Sequence, residues 1–271
     1  MARQDNSTRR CTRLGGTLSD HGADVEGLRD FYEASYAEES ELFARWRALG
    51  GAGKARHVAS LCRRAGLEPR TVADIGCGEG ALLAELSRRG IGAELDGFEL
   101  SPTAVGLARR RALPRVRRIE VYDGRHVPAG DGDYDLAVLS HVVEHVADPL
   151  PLLREAGRVA AHVLVEVPLE ANRSAARPAK RAEAARIGHL HAFDRAAVQG
   201  LCREAGLEIV SELADPLPLA HHAFFASSPR ARASAAAKTA VRRGAFALAP
   251  RRAERWFTVH YACLTVRRSL P

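Results

Sequence analysis

The chain has 271 residues, 46% of them hydrophobic, and its 40 basic against 33 acidic side chains give a formal net charge of +7. This suits one large α/β domain with extensions and a substantial core. Cys11, Cys62, Cys77, Cys202 and Cys263 are odd in number and scattered without a C-x-x-C pair, which indicates neither a disulfide framework nor a cysteine zinc site and reads as a reducing cytoplasm.

In chain order, residues 1–28 are polar, glycine-dotted and arginine-bearing, with no apolar segment of signal-peptide length, and are expected to be a flexible tail ahead of a folded domain at 29–271. No run approaches the roughly 20 apolar residues that span a bilayer, so a soluble protein is expected. Phe31-Tyr32-Glu33-Ala34-Ser35-Tyr36 reads as part of an amphipathic helix with aromatic core residues. Strand candidates at 71–76, 93–99, 117–122, 134–140 and 161–167 alternate with helical patterns near 53–66, 80–89, 102–112, 148–159 and 194–205, which predicts a parallel, doubly wound α/β sheet. Gly206 stops the helix ending at Ala205, Leu207 to Leu213 resumes as a strand, and Trp256 to Val266 supplies another.

The most informative stretch is Val72-Ala73-Asp74-Ile75-Gly76-Cys77-Gly78-Glu79-Gly80. Val72, Ala73 and Ile75 suit a buried parallel strand, and Gly76, Gly78 and Gly80 let the backbone turn and meet a ligand with no Cβ between. The helix from about Ala81 then offers free N–H groups. A dinucleotide fingerprint spaces its glycines G-x-G-x-x-G to hold a pyrophosphate. Here the spacing is G-x-G-x-G, and Asp74 and Glu79 repel phosphates but suit a cofactor carrying an ammonium group and a sulfonium centre.

Asp74 to Gly80 resembles the first motif of the class I S-adenosylmethionine-dependent methyltransferases, an acid followed by G-x-G-x-G. In that family a second acid closes the next strand and accepts from both ribose hydroxyls; Glu99 stands there, 25 residues beyond Asp74. Val121-Tyr122-Asp123-Gly124 resembles the adenine-contacting loop, with Asp123 accepting from the adenine amino group. The resemblance spans roughly residues 30 to 215 and touches the small-molecule branch, including the type 11, type 23 and quinone-biosynthesis O-methyltransferase families. It implies S-adenosylmethionine as cofactor, held by Asp74, Gly76, Cys77, Gly78, Gly80, Glu99, Leu100, Asp123, Gly124 and Ser140, with Tyr36 closing over the methionyl end. It also implies a Rossmann-like, doubly wound, seven-stranded, mostly parallel sheet with an antiparallel last strand. Residues 169–188 would then be a lid beside the acceptor, and the basic, alanine-rich 228–252 an insertion before that last strand.

In open α/β sheets ligands lie beyond the carboxyl ends of the strands. His141, Glu144 and His145 follow the fourth strand, His189 and His191 the fifth, and His221 and His222 the sixth, so the acceptor is expected among them, with His189, His191 and His222 as substrate contacts. If 141–146 begins a helix, His141, Glu144 and His145 share a face and can converge on one proton, one metal or one acceptor. These three are the catalytic candidates; His141, nearer the strand end, is the expected general base, with His145 read either as a base or as a buried imidazole bonded to backbone. The segment also resembles the E-x-x-E-H motif that quinone-biosynthesis O-methyltransferases associate with a divalent metal. Here His141 replaces the first acid, and two histidines with a carboxylate suit zinc or iron better than magnesium. Related enzymes use E-H-V as an ordinary turn, and no bound metal is the expectation.

The implied reaction is displacement at a sulfonium methyl by an acceptor oxygen, nitrogen or sulfur. Ser140-His141-Val142-Val143 is not the N/D-P-P-Y/F pattern that holds a flipped base, and the double-E loop of protein arginine methyltransferases is missing. A small-molecule acceptor is expected, most simply O-methylation of a specialised metabolite, sugar or quinol, with N-methylation of a small amine or peptide-derived metabolite as the alternative. A nicotinamide-dependent oxidoreductase and a non-catalytic cofactor-binding protein are the rival classes. Ser228 to Pro271 holds ten basic residues against Glu254, so the body of the chain is near neutral, which argues against a nucleic-acid groove. Weak contact of the basic segments with an anionic membrane or acidic substrate stays open, although only Lys54, Lys180 and Lys238 are lysines, which matches an arginine-favouring coding bias.

Overall fold

Residues 12–13, 25–37 and 41–268 are described in the computed structural model. Most of the tail expected at 1–28 therefore lies outside the described residues. Strand β1 (Thr12–Arg13) pairs antiparallel with β7 (His191–Ala192), and residues 25–28 already belong to helix α1 (Val25–Ala37).

The apolar runs read from the sequence become β2 (Thr71–Ile75), β3 (Glu94–Glu99), β4 (Val116–Val121), β5 (Tyr134–Ser140) and β6 (Ala160–Pro168). With β8 (Leu207–Asp215) and β9 (His260–Arg267) they form one seven-stranded sheet in the order β4-β3-β2-β5-β6-β9-β8. Neighbours from β4 to β6 are parallel, while β9 runs antiparallel to both β6 and β8. The expected antiparallel last strand is thus present, though it begins at His260, because residues 256–259 are still turning out of the preceding helix. Alternate residues of β2 feed two apolar layers. Ala73 and Ile75 pack with Phe98, Tyr134 and Leu139, and Val72 packs with Leu61, Leu83, Leu95 and Leu136.

The connections are α2 (Glu41–Ala65), α3 (Ala81–Arg89), α4 (Pro102–Arg110), α5 (Pro149–Val159), α6 (Pro178–Arg186), α7 (Arg195–Glu204), α8 (Leu219–His222), α9 (Pro229–Leu248) and α10 (Pro250–Glu254). Their starts carry the expected chemistry: Ser101 accepts from Ala104 N at 3.0 Å and Asp194 from Ala197 N at 2.8 Å. Helix α2 runs twelve residues further toward the N-terminus than its periodicity suggested. Gly50, Gly51 and Gly53 hide it, and a Cβ on Gly51 would lie 2.6 Å from Ala81 O, so close approach of α2 to α3 needs the glycine.

One expected element is missing. Residues 141–146 form a turn, not the start of a helix, and α5 begins only at Pro149, capped by Asp148. His141 takes φ 60°, the left-handed region, which costs a residue with a side chain about 1–2 kcal/mol. Residues 169–188 carry α6, and the basic segment 228–252 carries α9 and the first turn of α10. Among the described residues the four cysteines are free and buried, and no helix is long and apolar enough to cross a membrane.

Candidate functional site

Where the strand order reverses between β2 and β5, the carboxyl ends of the parallel strands open into a cavity of about 460 Å³. Its floor is the glycine loop. A Cβ on Gly76 would lie 2.5 Å from Val142 Cγ2, and one on Gly78 2.5 Å from Tyr36 Oη; both residues have positive φ, at 79° and 54°. Gly80 serves packing instead, facing Ala108 of α4 rather than the cavity.

Two buried acids stand over this floor. Asp74 stands next to last in β2 with Oδ2 lacking any hydrogen-bond partner; burial, opposed by Lys54 and reinforced by Glu99, pushes its carboxyl up to about 7. Glu99 ends β3, where Oε2 accepts from Gly78 N at 2.8 Å and Oε1 from Leu100 N at 2.8 Å and Ser101 N at 3.1 Å. Burial still holds its carboxyl above the usual range. Glu79 is neutralised by Arg47 at 2.9 Å and Arg111 at 2.6 Å, so its charge is spent on structure. Cys77, Leu100, Gly124 and Ser140 line the cavity as expected. Asp123 does not: it is exposed and accepts from Arg125 N and His126 N in its own turn, leaving Tyr122 and Gly124 as the lining residues.

Helix α1 forms the roof through Val25, Leu28, Tyr32 and Tyr36, all on the cavity wall. It is pinned by Glu33, which accepts from Ser101 Oγ at 2.6 Å, from Thr103 N at 3.2 Å and from Thr103 Oγ1. The aromatic segment is therefore both an amphipathic helix and a cover. Burial keeps the phenols of Tyr32 and Tyr36 protonated.

The opposite end of the same cavity is lined by histidines. His141, His145, His189, His221 and His260 reach it, whereas Glu144 is wholly buried behind them. His141 Nδ1 lies 3.0 Å from Glu144 Oε1, and its Nε2 lies 3.2 Å from His260 Nδ1 and 3.8 Å from Glu166 Oε1. Burial and Lys54 push the His141 imidazole down, but Glu144 and Glu166 outweigh them and raise it. Burial would raise Glu144, yet His141, with help from His145 and His189, holds it down to about 2. His57 of α2 bridges Glu166 and Asp215, 3.0 Å from each; burial lowers its imidazole, and the two carboxylates overcome that to raise it to about 9.

His145 fits the backbone-bonded alternative, since Nδ1 donates to Gly188 O at 3.0 Å and burial depresses its imidazole to about 4. His189 is held by Glu170 Oε2, 2.7 Å from Nδ1, and both residues face the cavity. His191 and His222 fall outside the cavity wall: His191 Nε2 lies 2.9 Å from Val146 O, and His222 Nε2 lies 3.1 Å from Pro216 O. Nor do His141, Glu144 and His145 present one set of metal ligands, because His141 turns Nε2 toward His260 and Glu166 while Glu144 and His145 group with His189.

Lys54, His57, Glu166, Glu170 and His260 were not singled out from the sequence. Glu166 carried a signal, a lone charge inside an apolar strand. His260 carried one in topology only, since an antiparallel strand brings its start to the carboxyl ends of its neighbours, opposite Pro168 and Asp215. Beside α6 and α10 lies a second, polar cleft lined by Arg173, Lys180, Arg181, Arg251, Arg252 and Arg255 among others.

Residues 41–212 match a family profile described as "Methyltransferase domain". The chain is 34% identical over 98 residues to norajmaline N-methyltransferase of Rauvolfia serpentina, covering 35% of this chain and 33% of that one. It is 30% identical over 133 residues to ubiquinone biosynthesis O-methyltransferase of Sodalis glossinidius, covering 45% and 53%. The chain thus spans about a third to a half of the length of these relatives. In fold it is similar to geranyl diphosphate C-methyltransferase of Streptomyces coelicolor, solved with Mg2+, geranyl diphosphate and S-adenosyl-L-homocysteine: TM-score 0.63, 15% identity, 90% and 97% of the two chains covered.

Proposed function

The chain belongs to the methyltransferase-domain family matched by its residues 41–212, and on that premise we propose that it transfers a methyl group from S-adenosylmethionine to a small-molecule acceptor. One observation carries the reading: an acid-lined glycine floor and a histidine-lined wall share a single roofed cavity, so donor and acceptor can be held in line. The donor end fits the cofactor chemically. Asp74 offers a buried oxygen without a partner, Glu99 a buried carboxylate, and Gly76 and Gly78 a backbone that no Cβ could replace. Asp74 and Lys54 would hold the amino-acid end, Glu99 the ribose, Tyr122 and Gly124 the adenine side, and Tyr36 would cover the loop. When bound, S-adenosylmethionine supplies a methyl group already activated on a sulfonium centre.

The acceptor's proton needs a base. His141 is poorly suited to it, with both ring nitrogens engaged and its imidazole raised toward the charged form. His189 is the better choice: it lines the cavity, and Glu170 fixes Nδ1 as the donor nitrogen and leaves Nε2 to take a proton. A base of this kind favours a hydroxyl acceptor, hence O-methylation; a small amine is the second reading, favoured by the N-methylating relative. The 169–188 segment contributes Glu170 and Ile187 to the wall and is proposed as the acceptor-side lid. A nicotinamide cofactor would set its pyrophosphate against Asp74 and Glu99.

The reading is tested by incubating purified protein with S-adenosylmethionine and a panel of hydroxylated and amine metabolites, following S-adenosylhomocysteine release and a product heavier by one methyl. Product from a hydroxyl compound is expected. Donor binding with no turnover on any acceptor pool would leave a binding protein in place of an enzyme.

A further inference from the structure

We propose that His141, Glu166 and His260 form a site for a divalent first-row transition metal ion, set into the acceptor end of the cavity wall. Three adjacent strands deliver the ligands: His141 follows β5, Glu166 lies near the end of β6, and His260 opens β9. Three atoms enclose one point. The facing ring nitrogens are 3.2 Å apart, and Glu166 Oε1 is 3.4 Å from His260 Nδ1 and 3.8 Å from His141 Nε2. Zinc–nitrogen and zinc–oxygen bonds of about 2.0–2.2 Å set tetrahedral ligand atoms about 3.3–3.5 Å apart, so the observed triangle needs little adjustment.

The surroundings are those that orient metal ligands. Glu144 Oε1, 3.0 Å from His141 Nδ1, sets a carboxylate charge against the far side of the ring and leaves Nε2 for an ion. Neither Glu144 oxygen has a hydrogen bond of normal geometry although the side chain is fully buried, and an ion on the far side of His141 gives that carboxylate a purpose. Glu166 is held by His57 Nδ1 at 3.0 Å and Ser140 Oγ at 3.1 Å, and His57 in turn by Asp215. Glu144 is thus an outer partner, not a ligand, and His145 has no part in the site. Two imidazoles and one carboxylate select zinc, iron or cobalt over magnesium or calcium. His141 and His260 line the cavity, so the remaining coordination position opens onto it. If the methyl-transfer reading holds, that position takes an acceptor hydroxyl or carboxylate oxygen and lowers the hydroxyl's pKa. Metal binding stands without that reading and is measured without methyl donor.

Chelator-stripped protein titrated with Co2+ is expected to take up one ion per chain, with the visible absorption of four- or five-coordinate cobalt, and to lose it to Zn2+. His260→Ala should abolish the bands, with near-ultraviolet circular dichroism and the thermal transition checking the fold. His57→Asn, which changes an outer partner, should weaken cobalt binding roughly 10–100-fold, and His189→Ala should leave the spectrum unaltered. Failure of the wild-type protein to take up cobalt overturns the site without recourse to any variant. So does a spectrum lost in His189→Ala and kept in His260→Ala, which moves the ion to the neighbouring group of Glu144, His145 and His189.

Discussion

Asp74→Asn separates stability from function at the glycine loop. Burial raises the Asp74 carboxyl from its ordinary 3.8 to about 7, so ionising it in the folded protein costs about 4 kcal/mol at pH 8. An acid raised on folding binds its proton more tightly in the native state. Its contribution therefore erodes stability as pH rises from about 4 to 7 and is constant above that. The isosteric amide removes the charge but leaves a buried polar group short of partners, at a cost of about 1–3 kcal/mol. The net expectation is a variant about 2 kcal/mol more stable than wild type at pH 8, an advantage that is lost at pH 5, where the two proteins come within about 1 kcal/mol of each other. Urea denaturation of both proteins at the two pH values isolates this group, because every other titration is shared. Calorimetry on the same samples should find donor binding weakened at least tenfold. A pH-independent stability difference, or a variant that binds donor normally, would refute the reasoning.

Glu99→Gln leaves one oxygen to serve three backbone N–H groups and turns an amide N–H toward at least one of them, which should weaken donor binding roughly 10–100-fold; unchanged affinity in calorimetry would remove Glu99 from the donor end. Gly78→Ala combines a left-handed φ of 54° with a Cβ 2.5 Å from Tyr36 Oη. A loss of about 1–2 kcal/mol of stability is expected, with poorer donor binding, and a fully stable variant would contradict the close approach of Tyr36. His189→Ala should lower kcat by roughly 10²–10⁴-fold with donor affinity retained, and Glu170→Gln should lower kcat less. If His141→Ala has the larger effect on kcat in protein stripped of metal, the base is His141 instead.

The legible part of this molecule was the part written locally. Glycine spacing, strand-end acids and cap residues announce themselves within a few positions, and β2, its loop, Glu99 and the run of parallel strands followed from them. The acceptor end is assembled from segments far apart in sequence. Glu166 meets His57 of α2 across the sheet face, and it meets His260 because the last strand runs backward between β6 and β8. Helix α2 was half hidden because glycines placed for close packing read as breakers. The turn at 141–146 defeated periodicity, since a three- and four-residue spacing of polar groups resembles a helix face whether or not the backbone closes its hydrogen bonds. Asp123 illustrates the opposite error: a strand-end acid in the expected place is consumed by its own turn.

The central claim is that the acid-lined glycine floor is built for S-adenosylmethionine. Calorimetric titration of the purified protein with S-adenosylhomocysteine and, separately, with NADH tests it most directly. One equivalent of S-adenosylhomocysteine should bind, with affinity lost in Asp74→Ala and Glu99→Ala, and NADH should give no saturable heat. Saturable NADH binding, or silence toward S-adenosylhomocysteine, contradicts the account.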